Sequence, residues 1–127
     1  MEELNELSGK IIAGAIRVHS SLGPGLLESV YEACLEYELR QLGLAVRRQV
    51  ILPLAYGTVF IEKACRIDLL VEESVIVELK TVMSLQPIHE AQLLTHLRLS
   101  NHHLGLLLNF YVAHMRDGIK RIVNNLR

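Results

Sequence analysis

Apolar residues recur every three or four positions near the start of the chain. Leu4, Leu7, Ile11, Ala15 and Val18 fall on one side of a helix over residues 4–20. The pattern breaks where Gly23 and Gly25 flank Pro24. It resumes over residues 26–42, with Leu27, Tyr31, Cys34, Leu35 and Leu42 on one side, and Gly43 supplies the stop. The period then changes. Residues 46–54 and 58–61 read as strands around Ala55-Tyr56-Gly57, and residues 67–71 and 75–79 as a hairpin turning near Glu72 to Ser74. Pro87 opens a third helix, 87–99. The continuous apolar run 104–110 suits a buried strand, and 117–126 reads as a terminal helix. The predicted order, α-α-β-β-β-β-α-β-α, is an α/β or α+β fold with a mixed central sheet flanked by helices.

That scheme leaves charges where a sheet calls for apolar residues. Asp68, Glu78 and Lys80 lie inside the two hairpin strands. Pairing Leu70 with Ile76 sets Asp68 opposite Glu78 and Arg66 opposite Lys80. Side chains so opposed have Cβ atoms ~5 Å apart, where like charges destabilise the pair. Two carboxylates at that spacing need a cation, or one must keep a proton. Mg²⁺ takes carboxylate oxygens and retains waters, and Lys80, on the same face as Glu78, can orient water. The spacing equally fits an edge strand whose acids face solvent beside Arg66 and Lys80.

Composition narrows the field. The 127 residues suit one domain, and half are hydrophobic, so a core is expected and disorder is not. With 13 basic and 14 acidic residues the net charge is −1, which argues against a generally basic nucleic-acid coat but leaves room for a local strip. Arg47, Arg48, Arg66, Lys80, Lys120, Arg121 and Arg127 are the candidates for such a strip. Two cysteines without a CxxC pair, and no secretory signal, point to a reduced, cytoplasmic setting. No apolar run approaches a membrane span. Aromatic residues are few, so stacking platforms for single strands are not evident.

Asp68 followed by Glu78-Leu79-Lys80 at the end of the next strand resembles the signature of the PD-(D/E)xK nuclease superfamily. Ile67 stands where the signature's proline would be. Upstream, Gly25-Leu-Leu-Glu28-Ser-Val-Tyr31 is similar to the pattern that names the GxxExxY protein family, a branch of that superfamily. The resemblance spans nearly the whole chain. It implies an α-β-β-β-α-β core with a divalent metal, Mg²⁺ or Mn²⁺, at Asp68, Glu78 and the Leu79 carbonyl. It implies Lys80 as the water-orienting or charge-stabilising residue, with Glu28 and Gln92 as auxiliaries. The expected activity is hydrolysis of phosphodiester bonds in nucleic acid, DNA first. The alternative is a non-catalytic nucleic-acid-binding or regulatory module that keeps the fold, and a third reading is a structural, oligomeric protein. A chain this short for an enzyme suggests a homodimer or a specificity partner.

Other positions carry weaker signals. Glu28 lies in the first turn of its helix, where the dipole alone favours a carboxylate. Gln92 with His96 resembles the QxxxY element of RecB-like and Cas4-like nucleases, with histidine in place of tyrosine. His89 fits a polar helix face, and His19 a satisfied core histidine. Asn101-His102-His103 and His114 lack zinc spacing. Gly23 and Gly25 set the angle between two helices. Glu38 falls within the apolar stripe, where an ion pair with Arg47 or Arg48 is one option.

Overall fold

The structure, a computed structural model, describes residues 2–125. Helices α1 (Glu2–Leu22) and α2 (Glu28–Gln41) come first. Strands β1 (Val46–Tyr56), β2 (Val59–Val71) and β3 (Val75–Lys80) follow, then helix α3 (Pro87–Ser100), strand β4 (Leu104–Asn109), a 3₁₀ turn at Met115–Gly118 and strand β5 (Ile119–Val123). The sheet order is β1-β2-β3-β4-β5. Only β3 and β4 run parallel, because α3 is the crossover between them. The result is a mixed α+β fold, a five-stranded sheet flanked by three helices.

Two cores follow from strand alternation. On one side α1 and α2 cover Leu69, Val71, Val75, Val77, Leu79 and the even-numbered leucines of β4. On the other, Leu93 and Leu97 of α3 cover Leu52, Ile67, Leu70, Ile76 and Leu107. Strand β4 is buried along its whole length, as a continuous apolar run between two helical layers should be. Tyr31 of α2 stacks on Phe110, ring centroids 4.6 Å apart. Its hydroxyl donates to the Gly23 carbonyl at 2.6 Å and accepts from the Leu26 N–H at 3.1 Å. Tyr31 thus holds the α1–α2 loop, in which Gly23 and Gly25 adopt φ of +70° and +104°.

Two predicted elements differ. The predicted strands 58–61 and 67–71 merge, from Val59 onward, into one 13-residue strand, β2, because β1 runs on to Tyr56 and pairs with both of its ends, from Val59 to Ile61 and from Cys65 to Val71 except at Asp68. The segment read as a terminal helix is strand β5. Ile119 and Ile122 lie in register with Leu108 and Gly105, so this segment closes the otherwise open edge of β4. Leu126 and Arg127 lie outside the described residues. His19 is a satisfied core histidine, its Nε2 2.7 Å from the Val112 carbonyl. Glu38 pairs with Arg17 at 2.8 Å, not with Arg47 or Arg48. Among the described residues no helix is long and apolar enough to cross a membrane.

Candidate functional site

The β2–β3 hairpin pairs in the predicted register, Leu70 with Ile76, but its ladder stops at Leu69–Val77, so the expected cross-strand pairs Asp68–Glu78 and Arg66–Lys80 do not form. Beyond that point β2 departs from β3. The cause is a change of phase shared by β1 and β2. Leu69 and Val71 face α1 and α2, yet Ile67, two residues earlier, faces α3. Likewise Val46 faces α1 and α2, whereas Val50 and Leu52 face α3. Strict alternation would keep each set on one side. The phase resets at Gln49, which has φ of +52°, opposite Asp68, and the pair Gln49–Asp68 is missing from a register that is regular from Val46 to Leu52. A left-handed glutamine is uncommon and costs roughly 1–2 kcal/mol.

This reset turns Asp68 into the seam. Its Oδ2 accepts the Leu79 N–H at 2.8 Å, replacing the ladder bond that β2 no longer supplies. The N–H and C=O of a strand residue point the same way, so the Leu79 carbonyl faces the same opening. Glu78 lies on the α3 side, buried, with its Oε2 against Nδ1 of His96. Lys80 ends β3, half-buried. Its carbonyl accepts the Phe110 N–H, and its register partner on β4 is Asn109. Asn109 is buried and braces the next loop. Its Oδ1 accepts the Val82 N–H at 3.1 Å and its Nδ2 donates to the Val82 carbonyl at 2.9 Å.

Electrostatics bind α2 to this seam. Burial raises the Asp68 carboxyl above its ordinary range, the Leu79 N–H opposes that, Glu32 and Glu78 add to the rise, and Lys80 lowers it. Glu28 is open to solvent on one side. The protein behind it nevertheless raises its carboxyl, Asp68 adds to this, Lys80 opposes it, and Glu32 adds again. The Cys65 thiol is pushed up by burial and then by Glu78. Asp68 is thus the centre of an acidic seam: it is bonded to Leu79, and its charge couples to Glu28, Glu78 and Lys80. Gln92 stands apart, exposed on the α3 turn before His96. His89 accepts the Gln86 N–H at 2.9 Å and so caps α3. Tyr31 serves the glycine loop and makes no bond to Glu28.

Glu32 was not foreseen. It is buried one turn beyond Glu28, and its Oε2 accepts from Arg48 at 2.9 Å and its Oε1 from Gln49 at 2.6 Å. The i, i+4 step from Glu28 was the available signal. Glu32 thus holds the residue at which the phase resets and also presses on Asp68. A groove of about 430 Å³ between α1 and α2, lined by Val18, Leu22, Cys34 and Tyr37, shares no residue with the seam.

Among the described residues no three His, Cys, Asp or Glu side chains close into a metal cage. The donors at hand are Asp68 Oδ1, Glu78 Oε1 and the Leu79 carbonyl. These are hard oxygens in a surplus of negative charge, a set that fits a divalent cation retaining several waters.

A mixed sheet between helical layers, with acids where two strands part and a lysine at the strand end, describes a nuclease-like α+β protein. The sequence matches the PD-(D/E)XK nuclease superfamily over residues 5–122, and the chain belongs to that superfamily. Nucleases of this superfamily generally use divalent metals. The fold is similar to the crystal structure of SSO0001, with a TM-score of 0.56 and 21% identity, over 78% of this chain and 50% of that one. The chain therefore spans about half the length of that protein. No curated protein matches it.

Proposed function

We propose that the protein is a divalent-metal-dependent nuclease of the GxxExxY branch, hydrolysing phosphodiester bonds in DNA. The observation that carries this reading is Asp68 turned into the broken β2–β3 ladder and bonded to the Leu79 N–H, with the charges of Glu78 and Lys80 both felt at its carboxyl. Asp68, Glu78 and the Leu79 carbonyl would hold Mg²⁺ or Mn²⁺. When bound, such an ion supplies Lewis-acid stabilisation of charge on the scissile phosphate. Lys80 is the site's cation and stabilises negative charge as the phosphorus is attacked, while its ammonium orients the attacking water. Glu28, with its carboxyl raised, is suited to accept a proton from that water. Gln92, exposed on α3 outside the seam, is available to donate to a phosphate oxygen of the bound strand. His96 fixes the rotamer of Glu78 through Nδ1.

The chemistry is tested by cleavage of a panel of DNA and RNA substrates with Mg²⁺, Mn²⁺ or EDTA. Asp68→Ala should abolish metal-dependent cleavage. Lys80→Ala should lower kcat by about 10²- to 10⁴-fold while leaving metal affinity and the fold intact. Undiminished cleavage by Lys80→Ala removes it from the mechanism. Binding of nucleic acid by the wild type without cleavage under any metal would favour the non-catalytic module, for which the engagement of Glu78 by His96 is the supporting contact.

A further inference from the structure

Beyond the phase reset, β1 and β2 pair only with each other, since β2 meets β3 through Leu69, Leu70 and Val71 alone. The distal half of this hairpin projects from the sheet, and isolated two-stranded ribbons are marginal in water. Its composition is not that of a solvated ribbon. From Ile51 to Ala64 the only charges are Glu62 and Lys63. Tyr56 is 77% exposed, Phe60 65%, Val59 54%, and Ile51 and Ile61 43% each. Paired residues share a face, so Tyr56–Val59 and Leu54–Ile61 line one side, and Ala55–Phe60 with Ile51 the other. Both faces are mainly apolar, with Arg66 beside Ile51 at the base.

We propose that this ribbon is a dimerisation arm that clasps the same arm of a second copy of this chain. Area is the first argument. Exposed to this degree, two aromatic and three aliphatic side chains offer roughly 500–600 Å² per copy, and two copies reach the lower end of a specific interface, about 1,200 Å² in total. Apolar area of this extent lies at the upper end of what monomers leave bare, where such patches are often functional. Charge is the second argument. The arm carries one acid beside one base, so a two-fold axis can set Glu62 against Lys63 of the other copy, and the chain's net charge of −1 gives little self-repulsion. Lys63, with Arg66 opposite Ile51 at the arm's base, makes too few cations for a phosphate-binding face. The geometry also selects the mode. Pro53 lacks an N–H on the outer strand, and the register shifts between Leu52 and Leu54, so edge-to-edge strand addition is blocked. The contact is made by faces. An arm apolar on both faces needs cover on both, which a reciprocal clasp supplies.

Sedimentation velocity on the full chain, from low to high micromolar concentration, tests this. The wild type should run at twice the chain mass. Tyr56→Asp and Phe60→Asp should each run as monomers with an unchanged circular dichroism spectrum. Tyr37→Asp, in the exposed α1–α2 groove, should remain dimeric. If an aspartate in the ribbon disturbs the fold, Phe60→Thr, which keeps a strand former, decides in its place. A wild type that stays monomeric at the highest concentration overturns the proposal. So does a dimer that survives both arm substitutions, or one that only Tyr37→Asp dissociates.

Discussion

The base and the tip of the β1–β2 hairpin are both rich in apolar residues and end in opposite surroundings. At the base, Leu69, Leu70 and Val71 are sealed between α1–α2 on one side and α3 on the other. At the tip, Tyr56, Val59 and Phe60 stand open. Alternation and hydrophobicity do not separate the two halves. What separates them is whether a third strand continues alongside, and β3 has only six residues. The acidic seam lies where cover ends, so Asp68 is held by packed structure on one side and reached from solvent on the other. Burial that is partial and one-sided raises a carboxyl without sealing it off from a substrate.

The contrast breaks first on stability. Leu69→Ala should cost about 2–5 kcal/mol by denaturant titration, whereas Phe60→Ala, measured on the monomer, should stay within about 0.5 kcal/mol. Equal costs at both places would mean that the tip is covered within a single chain. Next comes Arg48→Ala, which leaves buried Glu32 with Gln49 as its remaining partner. A loss of about 1–3 kcal/mol is expected, and Arg48→Lys should restore only part of it because one ammonium cannot replace two guanidinium donors.

Asp68→Asn sharpens the comparison by its sign. An asparagine oxygen can still accept the Leu79 N–H. The native Asp68 carboxyl keeps its proton to higher pH than the unfolded one, so ionising it weakens the fold as pH rises from the ordinary carboxylate value of 3.8 through its raised value. Above that window the cost is constant. In metal-free buffer the variant should therefore match the wild type at the acid end and equal or exceed it at neutral pH. Millimolar Mg²⁺ should then raise the melting temperature of the wild type more than that of the variant. Loss of stability in Asp68→Asn at neutral pH without metal would show that its charge supports the fold. The smallest effect belongs to Arg47–Glu73, an exposed pair at 2.7 Å. Its hydrogen bond to Arg47 lowers the Glu73 carboxyl. Its contribution is present above the unfolded value of 4.5 and is lost as pH falls through the lowered one. Glu73→Gln should cost at most about 1 kcal/mol at neutral pH, with less at high salt.

Much of this was readable from residue order. The two opening helices, the glycine loop, the turn at Glu72 and Glu73, α3 with its proline, and buried β4 all carry local signals. The Leu70–Ile76 register followed from the length of that turn. The continuity of β2 was hidden because Glu62, Lys63 and Arg66 interrupt its apolar pattern. Arg66 is held by its pairing with Ile51, while Glu62 and Lys63 lie in the irregularity where the β1–β2 register shifts. The terminal strand was hidden for a different reason. Ile119, Ile122 and Val123 fit a helix or a strand by spacing, and the open edge of β4 decides between them. In the site, residue types exposed Asp68, Glu78 and Lys80, while their arrangement was set by Gln49. A glutamine at positive φ leaves no mark in a sequence, unlike a glycine. Glu32 was obscured by the same fact, since its partners meet it only after the phase has reset.

That reset carries a consequence for how the chain can change over time. Inserting or deleting one residue in a strand normally exchanges its faces along the whole remaining length. Here two places absorb such a slip, the Gln49–Asp68 reset and the register shift between Leu52 and Leu54. Variation in the ribbon beyond Leu54 can alter its length, its facing and the surface it presents without re-aiming Asp68. The hairpin thus joins a segment whose facing can change to one that is fixed, and the glutamine at positive φ is the joint between them.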